Sequence, residues 1–488
     1  MTRYEHFING RYRPGAAGRT FDNISPVDGG LIGKVCEADR SDVDLAVASA
    51  RAALDGPWAQ LDTAARAELL RRIADEIESR ADLFLEAECA DTGKPSREAE
   101  ALDVARGAGN FRAFANMLYP HGDEAFAQSG AHGELLNVGQ RVPKGVIAVI
   151  SPWNLPLLLT TFKVAPALAC GNTVVVKPSE ETPATATLLG DIMNACGVPP
   201  GVFNVVNGFG PDSAGEFLVS HPGVDAITFT GETRTGEVIM RAAATGLRNV
   251  SMECGGKNPG IVFADADLNR AVEGTLRSCF SNTGQVCLGT ERLYVERPIF
   301  DEFVARLVDA TKTLRPGRSF DPDANWGPLI SKEHRRKVLD YCALAIEEGA
   351  TVQTGGCALD MVDDLAYGAW MAPTIWTGLP DGARVLREEI FGPCCHVRPF
   401  DNEAEALALA NDTDYGLATT VWTENHNRAL CVSHALNAGL VWVNSWYVRD
   451  LRTAFGGMGQ SGLGREGGRH GLDFYTEHKN ICFAYGGR

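Results

Sequence analysis

The chain has 488 residues, 45% hydrophobic and 22% charged, enough for two or three packed units around sizeable cores. Its 62 acidic against 45 basic residues give a formal charge of −17, which repels phosphate backbones and anionic lipid and argues against nucleic-acid or membrane partners. Thirteen cysteines and ten histidines show no disulfide-framework, HExxH or zinc spacing, and MTRYEHFINGRYRPG holds no export signal, so a reduced, cytoplasmic chain with no metal site is expected.

Arg66–Cys89 and Glu98–Leu118 carry the spacing of long amphipathic helices. His121–Gln140 is polar and contains glycine, and reads as a hairpin projecting from the body. Arg141–Ile150 is β-branched and reads as one strand ending at a Pro-rich turn. The apolar stretch Val146–Leu159 is broken by Pro152 and Pro156 and is too short to span a bilayer. Then follow a helix over Leu157–Ala169, a strand over Asn172–Lys177, a helix over Ala184–Ala195 and a strand over Val202–Val206. Asp212–Ser220 reads as a helix, Ala226–Thr230 as a strand and Thr235–Ala244 as a helix. A second round begins near Gly256: strand Ile261–Phe263, helix Leu268–Phe280, strand Arg292–Val295, helix Ile299–Thr313. Strands alternating with helices predict an α/β chain of two closely packed, mostly parallel, doubly wound sheets, with no flexible linker between them.

Formal GxGxxG matches occur at Gly457–Gly462 and Gly462–Gly467, but neither joins a strand to a helix, so neither meets the requirements of a dinucleotide fingerprint. TFTGETRTG (Thr228–Gly236) does join a strand to a helix, and its glycines let backbone approach a pyrophosphate at a helix start. In VKPSEET, Lys177 and Glu180 stand at the next strand end, where a carboxylate accepts hydrogen bonds from a free ribose hydroxyl and repels a 2′-phosphate. NTGQVCLG sets Cys287 in a Gly-flanked loop, although spacing does not separate it from Cys279 as a nucleophile. Glu253, before two glycines in MECGGKNP, reads either as a base reaching into a cleft or as a paired structural carboxylate.

Taken together and in this order, SPWNLP (Ser151–Pro156), KPSE (Lys177–Glu180), FTGETRTG (Phe229–Gly236), MECGGKNP (Met252–Pro259), NTGQVC (Asn282–Cys287) and EEIFGP (Glu388–Pro393) resemble the aldehyde dehydrogenase superfamily. So do Trp442–Asn444 and Phe455–Gly457, and the resemblance runs from Phe7 into the tail. It implies Cys287 as nucleophile, Glu253 as general base and Asn154 as side-chain donor of the oxyanion hole. It implies NAD as cofactor, held by Trp153, Lys177, Glu180, Phe229, Gly231, Glu232, Gly236, Glu389 and Phe391. It also implies an atypical Rossmann NAD domain (1–120 and 142–255), a catalytic domain (256–453), and a small β oligomerisation hairpin with the C-terminal tail (121–141 and 454–488) that builds a homodimer or homotetramer. Cys254 stands where the family usually has Leu, and Glu232 where Ser is common. An acidic Glu232 beside phosphate is unfavourable unless it points away or pairs with Arg234.

Within the superfamily, DVARGAGNFRAFA (Asp103–Ala115), CGNTVVVKPSEETP (Cys170–Pro183), GFGPDSAG (Gly208–Gly215) and VNSWYVRDLRTAFGG (Val443–Gly457) are most similar to the branch acting on hydroxy- and aminomuconic semialdehydes. Such substrates carry a carboxylate opposite the aldehyde, and Arg106 and Arg449 match basic positions that would clamp it. Glu253 argues against a relative that hands its acyl group to CoA. The rival readings are a cofactor-free thiol hydrolase and a catalytically silent protein on the same fold.

Overall fold

The structure is a computed structural model describing residues 2–120, 122–130 and 133–485. Two large sheets organise it. In the first, the parallel strands Val146–Ile150, Thr173–Lys177, Phe203–Val205, Ala226–Thr230 and Asn249–Glu253 lie with Val146–Ile150 in the middle. The chain winds outward from that strand in one direction through Thr173–Lys177, then returns to its other side with Ala226–Thr230. A ligand site is expected where the winding reverses, beyond the carboxyl ends of these strands. The second sheet runs parallel through Thr374–Thr377, Cys394–Phe400, Thr290–Glu296, Asn258–Val262, Ala418–Trp422 and Leu440–Val443, with Thr351–Thr354 antiparallel at its edge. The expected pair of doubly wound α/β units is thus present.

Local chemistry explains most boundaries. TVVVK is β-branched and fully buried, as a central parallel strand requires. Leu268–Phe280 starts where the Asp267 carboxylate accepts from the amides of Asn269 and Arg270. Pro156 opens the helix Pro156–Ala169, every residue of which is buried.

Three expectations are corrected. Arg141–Ile150 is two strands, because Gly145 turns the chain at φ +131° while its amide donates to Asn172 Oδ1 at 2.9 Å. Arg66–Cys89 is parted at Arg80, whose φ/ψ of −113°/27° leaves the helical region between Thr63–Ser79 and Ala81–Thr92. Glu98–Leu118 is not one regular helix: Ala99–Val104 forms a π-helical turn before Ala105–Met117.

The projecting hairpin exists as Glu124–Gly130 and Gly133–Pro143, with His121, Ala131 and His132 outside the described residues. Thr476–Tyr485 adds a third strand along Gly133–Pro143. The rest of the tail behaves differently. Gly462–Leu463 pairs antiparallel with Met252 and Glu253, so this segment extends the first sheet. The N-terminal strands, which no pattern announced, cap that sheet's far edge through His6–Ile8 and Arg11–Arg13.

Candidate active site

The carboxyl ends of the first sheet meet the loop that carries Cys287. Asn282, Thr283 and Gly284 all take left-handed backbone (φ 49°, 56° and 72°), and a side chain on Gly284 would collide with the Gly392 backbone. This turn throws Cys287 out of the core. Its backbone is then pinned on three sides: Asn258 Nδ2 donates to the Cys287 carbonyl at 2.7 Å, Trp446 Nε1 to the Leu288 carbonyl at 3.0 Å, and Asn154 Nδ2 to the Gln285 carbonyl at 2.9 Å. Cys279, the alternative nucleophile, is 2% exposed in the core of the second sheet, whereas Cys287 is partly exposed and lines a cavity.

That cavity, about 220 Å³, brings Trp153, Asn154, Gly231, Glu232, Glu389 and Phe391 around Cys287. It shares Trp153, Glu232, His334 and Lys337 with an open groove of about 1050 Å³ that Glu180 and Arg234 also line. The Glu389 carboxylate lies across the glycine pair: it accepts from the Gly256 amide at 2.8 Å, and a Cβ on Gly255 would strike it. Burial, reinforced by the charge of Glu291, pushes Glu389 up to about 8. Phe391 adopts φ 59°, which is strained for an aromatic residue. It is held there by its amide donating to Glu291 Oε1 at 2.9 Å, and its ring stands edge-on to Trp153 at 5.3 Å. Lys177 donates to Glu180 at 2.8 Å, and although burial pushes Glu180 up, the Lys177 charge holds it below its usual range.

Phe229 and Glu253 lie outside the cavity, whereas Cys254 and Glu232 line it. Phe229 is core, its ring filling the space beneath Gly231 and Gly236. Cys254 lines the cavity with its sulfur over Gly236, where a Cβ would lie 3.1 Å away. Glu232 is exposed at the start of the helix Thr233–Ala244, and among the described residues it forms no ion pair with Arg234. Glu253 is 3% exposed and does not line the cavity: its carboxylate faces Gly456, and among the described residues neither oxygen accepts a hydrogen bond. Burial and the charge of Glu466 raise it well above the usual carboxylate range, against the opposing charges of Lys163, Arg465 and Arg449. The Cys287 thiol is pushed up to about 12, by burial first and by Glu253 second. The two groups are therefore within electrostatic reach of each other.

On the other side of the Cys287 loop lies a chamber of about 410 Å³, lined by Leu102, Val286, Trp446 and Tyr447 among others. Arg106 and Arg449 gather beside Tyr447. Burial lowers both guanidiniums, Arg449 to about 10, and Arg106 adds repulsion to Arg449. Among the described residues neither pairs with a carboxylate, and Arg106 Nε and one terminal nitrogen of Arg449 are buried without a hydrogen-bond partner. Arg449 rests instead on the Phe455 ring at 4.4 Å.

Sequence reasoning missed Asn258, Trp446, Tyr447, His334 and Glu466. Asn258 lay within a quoted motif, but its role is to hold a backbone 29 positions away. His334 had no signal; in the fold its Nε2 is 2.8 Å from the Phe391 carbonyl and its ring meets Trp153. Among the described residues no cluster of three or more potential ligands could hold a metal, and no helix is long and apolar enough to cross a membrane.

Comparison with known proteins gives consistent matches along the chain. The family model described as aldehyde dehydrogenase family matches residues 12–481. A 2-hydroxymuconic semialdehyde dehydrogenase from Pseudomonas sp. (strain CF600) is 64% identical over 483 residues, covering 99% of each chain. A 2-aminomuconic 6-semialdehyde dehydrogenase from Pseudomonas sp. is 53% identical over 485 residues, covering 99% of this chain and 98% of that one. Among solved structures, PnpE in complex with nicotinamide adenine dinucleotide matches with a TM-score of 0.96 and 41% identity, over 100% of this chain and 99% of that chain.

Proposed function

The chain belongs to the aldehyde dehydrogenase family, and from that premise we propose that it oxidises 2-hydroxymuconic semialdehyde to the dicarboxylic acid with NAD as hydride acceptor. The observation that carries the substrate is the pair Arg106 and Arg449: two half-buried cations that have no carboxylate partner among the described residues and gather beside Tyr447, which lines the chamber on one side of the nucleophile loop. Leaving such charges unpaired is unfavourable unless a ligand supplies the anion. A semialdehyde with a terminal carboxylate does so while its other end reaches Cys287.

The residues around the cavity suit a dinucleotide. Gly231 lines the cavity just ahead of the helix Thr233–Ala244, Glu180 and Glu389 offer carboxylates to ribose hydroxyls, and Trp153 and Phe391 offer apolar faces. When bound, NAD supplies a hydride acceptor whose cationic ring favours the thiolate. Cys287 loses its proton to solvent, its thiolate Sγ attacks the aldehyde carbon, and the carbonyl π electrons move to oxygen to give an alkoxide. Asn154 spends one Nδ2–H on Gln285 and keeps the other for that alkoxide, alongside the Cys287 amide. With NAD bound beside it, the tetrahedral carbon would pass its hydride to that acceptor as the C=O bond re-forms, leaving a thioester on Cys287. Glu253 swings from its place over Gly456, takes a proton from water, and the hydroxide displaces Cys287 to give the acid.

The three-stranded sheet completed by Thr476–Tyr485 exposes Phe126, Phe483 and Tyr485 and is our choice for the contact between copies in a homodimer or homotetramer in the cytoplasm. The substrate reading is tested by following NADH formation with the ring-fission product of catechol, its 2-amino analogue, and neutral aldehydes of similar length. Preference for the carboxylated compounds supports it; equal kcat/KM for neutral aldehydes overturns it. The 2-amino analogue at higher kcat/KM than the 2-hydroxy compound would reassign the substrate. A thiol hydrolase would turn over esters but ignore NAD.

A further inference from the structure

Lys94 is a cation in the core, 2% exposed, with three neighbours. Its Nζ donates to the Asp103 carboxylate at 2.8 Å and to the Asn154 carbonyl at 3.0 Å, and Glu88 lies 3.8 Å away. Burial, then the charge of Asp103, raises Glu88 well above the usual carboxylate range, and burial raises Asp103 too, against the pull of Lys94; by distance it is Asp103 that Lys94 pairs with. A buried ion pair adds little to stability over a packed apolar pair, so its presence calls for another reason. Here the third partner supplies it, because the anchored carbonyl belongs to the residue whose side chain faces the reacting oxygen. Asn282 Nδ2 donates to the same carbonyl at 3.0 Å, so that backbone is held from two sides.

Asp103 lies in the π-helical turn Ala99–Val104, just before Arg106. Extra-wide turns of this kind are rare and cluster at functional sites. From Asp103 onward one helix face packs on the helix Pro156–Ala169 that follows Asn154. Gly107 leaves room for Leu157, and Asn110 donates to the Leu158 carbonyl and to Thr161 Oγ1, both at 3.0 Å. Arg106 is carried on this docked element. The same pair of buried charges therefore closes a loop from the Asn154 backbone, through Lys94 and Asp103, to the anion-binding arginine.

We infer that Lys94 and Asp103 are positioning residues that hold the oxyanion donor Asn154 and the anion-binding Arg106 in fixed register with each other. This rests on the roles proposed above for those two residues. The pair touches no substrate atom. It sets the distance between the recognised carboxylate and the carbon under attack, so losing it degrades both ends together.

The test uses the full-length enzyme with Lys94→Met combined with Asp103→Leu, which removes both members of the pair together. Expected are a loss of kcat of roughly 10-fold or more on carboxylated and neutral aldehydes alike, and a rise in KM confined to the carboxylated one, as for displaced catalytic groups. Alkylation of Cys287 by iodoacetamide, followed by mass spectrometry, forms no oxyanion, so its rate is expected to stay within about twofold. Unchanged kcat, or kcat and alkylation falling in parallel, overturns the inference by reducing the pair to a structural role. Should the double variant not fold, the isosteric Asp103→Asn reads the same split. Asn154→Ala separates the two levels. If it leaves kcat intact, the oxyanion-hole reading fails; if it lowers kcat while the Lys94 and Asp103 variants do not, only the positioning role fails.

Discussion

Asn154 donates its side-chain amide to the Gln285 carbonyl at 2.9 Å, tying the end of the first sheet's central strand to the loop that carries the nucleophile. One hydrogen bond thus registers the oxygen-binding group against the sulfur two residues beyond. A shift of either sheet moves both groups together.

Replacing Cys287 by Ala is expected to lower NADH formation by roughly 10³-fold or more, with NAD binding retained in a fluorescence titration. Cys279→Ala should leave kcat within about twofold and lower Tm by a few degrees, because it deletes only a buried sulfur in the second sheet's core. Turnover surviving in the Cys287 variant would return the nucleophile to Cys279.

Arg106→Ala and Arg449→Ala should each raise KM for the carboxylated semialdehyde about 10- to 100-fold, the equivalent of about 1.5–3 kcal/mol for a hydrogen bond to a charged group. KM for a neutral aldehyde should change by less than about threefold. Steady-state kinetics on both substrates read the difference, and parallel losses would remove the clamp.

Glu253 acts as a base only when ionised, and its folded pKa lies well above the carboxylate range. Thioester hydrolysis should therefore climb with pH on its acid side. Replacing Glu466 by Gln removes the largest neighbouring negative charge, so that limb should move to lower pH. Glu253→Gln should flatten the limb and let the acyl-enzyme accumulate, visible in single-turnover kinetics and by mass spectrometry. A limb that moves to higher pH in the Glu466 variant contradicts this account.

Glu389 has a folded pKa near 8, whereas its unfolded chain ionises in the ordinary carboxylate range. Between those two values the folded state binds more protons, so stability falls as pH rises through that window. Without NAD, Tm of the native protein relative to Glu389→Gln should decrease from pH 5 to pH 8. A difference that grows in favour of the native protein has the wrong sign.

Glu232 places a negative charge at the start of the helix Thr233–Ala244, which otherwise attracts phosphate. Glu232→Ser also supplies a better capping side chain, and Kd for NAD should tighten by about 2- to 10-fold, less at high salt. Calorimetry at two ionic strengths measures it; weaker binding would mean that Glu232 contributes a contact.

The alternation from Thr173 to Glu296 was legible because buried strands there are β-branched and turns carry glycine or a capping aspartate. Chemistry was legible through the ordered motifs that carry the family resemblance, NTGQVC and MECGGKNP among them. What escaped depends on distant partners. The break at Arg80 and the π turn at Ala99–Val104 have no glycine or proline to mark them. Spacing alone left Cys279 and Cys287 open and only the resemblance pointed to Cys287, because exposure is set by packing. Lys94 reads as one more lysine until Asp103 and Asn154 close around it.

The pairing of Gly462–Leu463 with Met252 and Glu253 has a consequence for biosynthesis. Gly456, which faces the Glu253 carboxylate, and Glu466, which sets its ionisation, are translated some two hundred residues after it. A nascent chain can assemble most of both sheets while the carboxylate still lacks its enclosure. Until those late residues leave the ribosome, a growing chain carries the nucleophile without the finished surroundings of its base, so hydrolytic competence waits on the last stretch of synthesis.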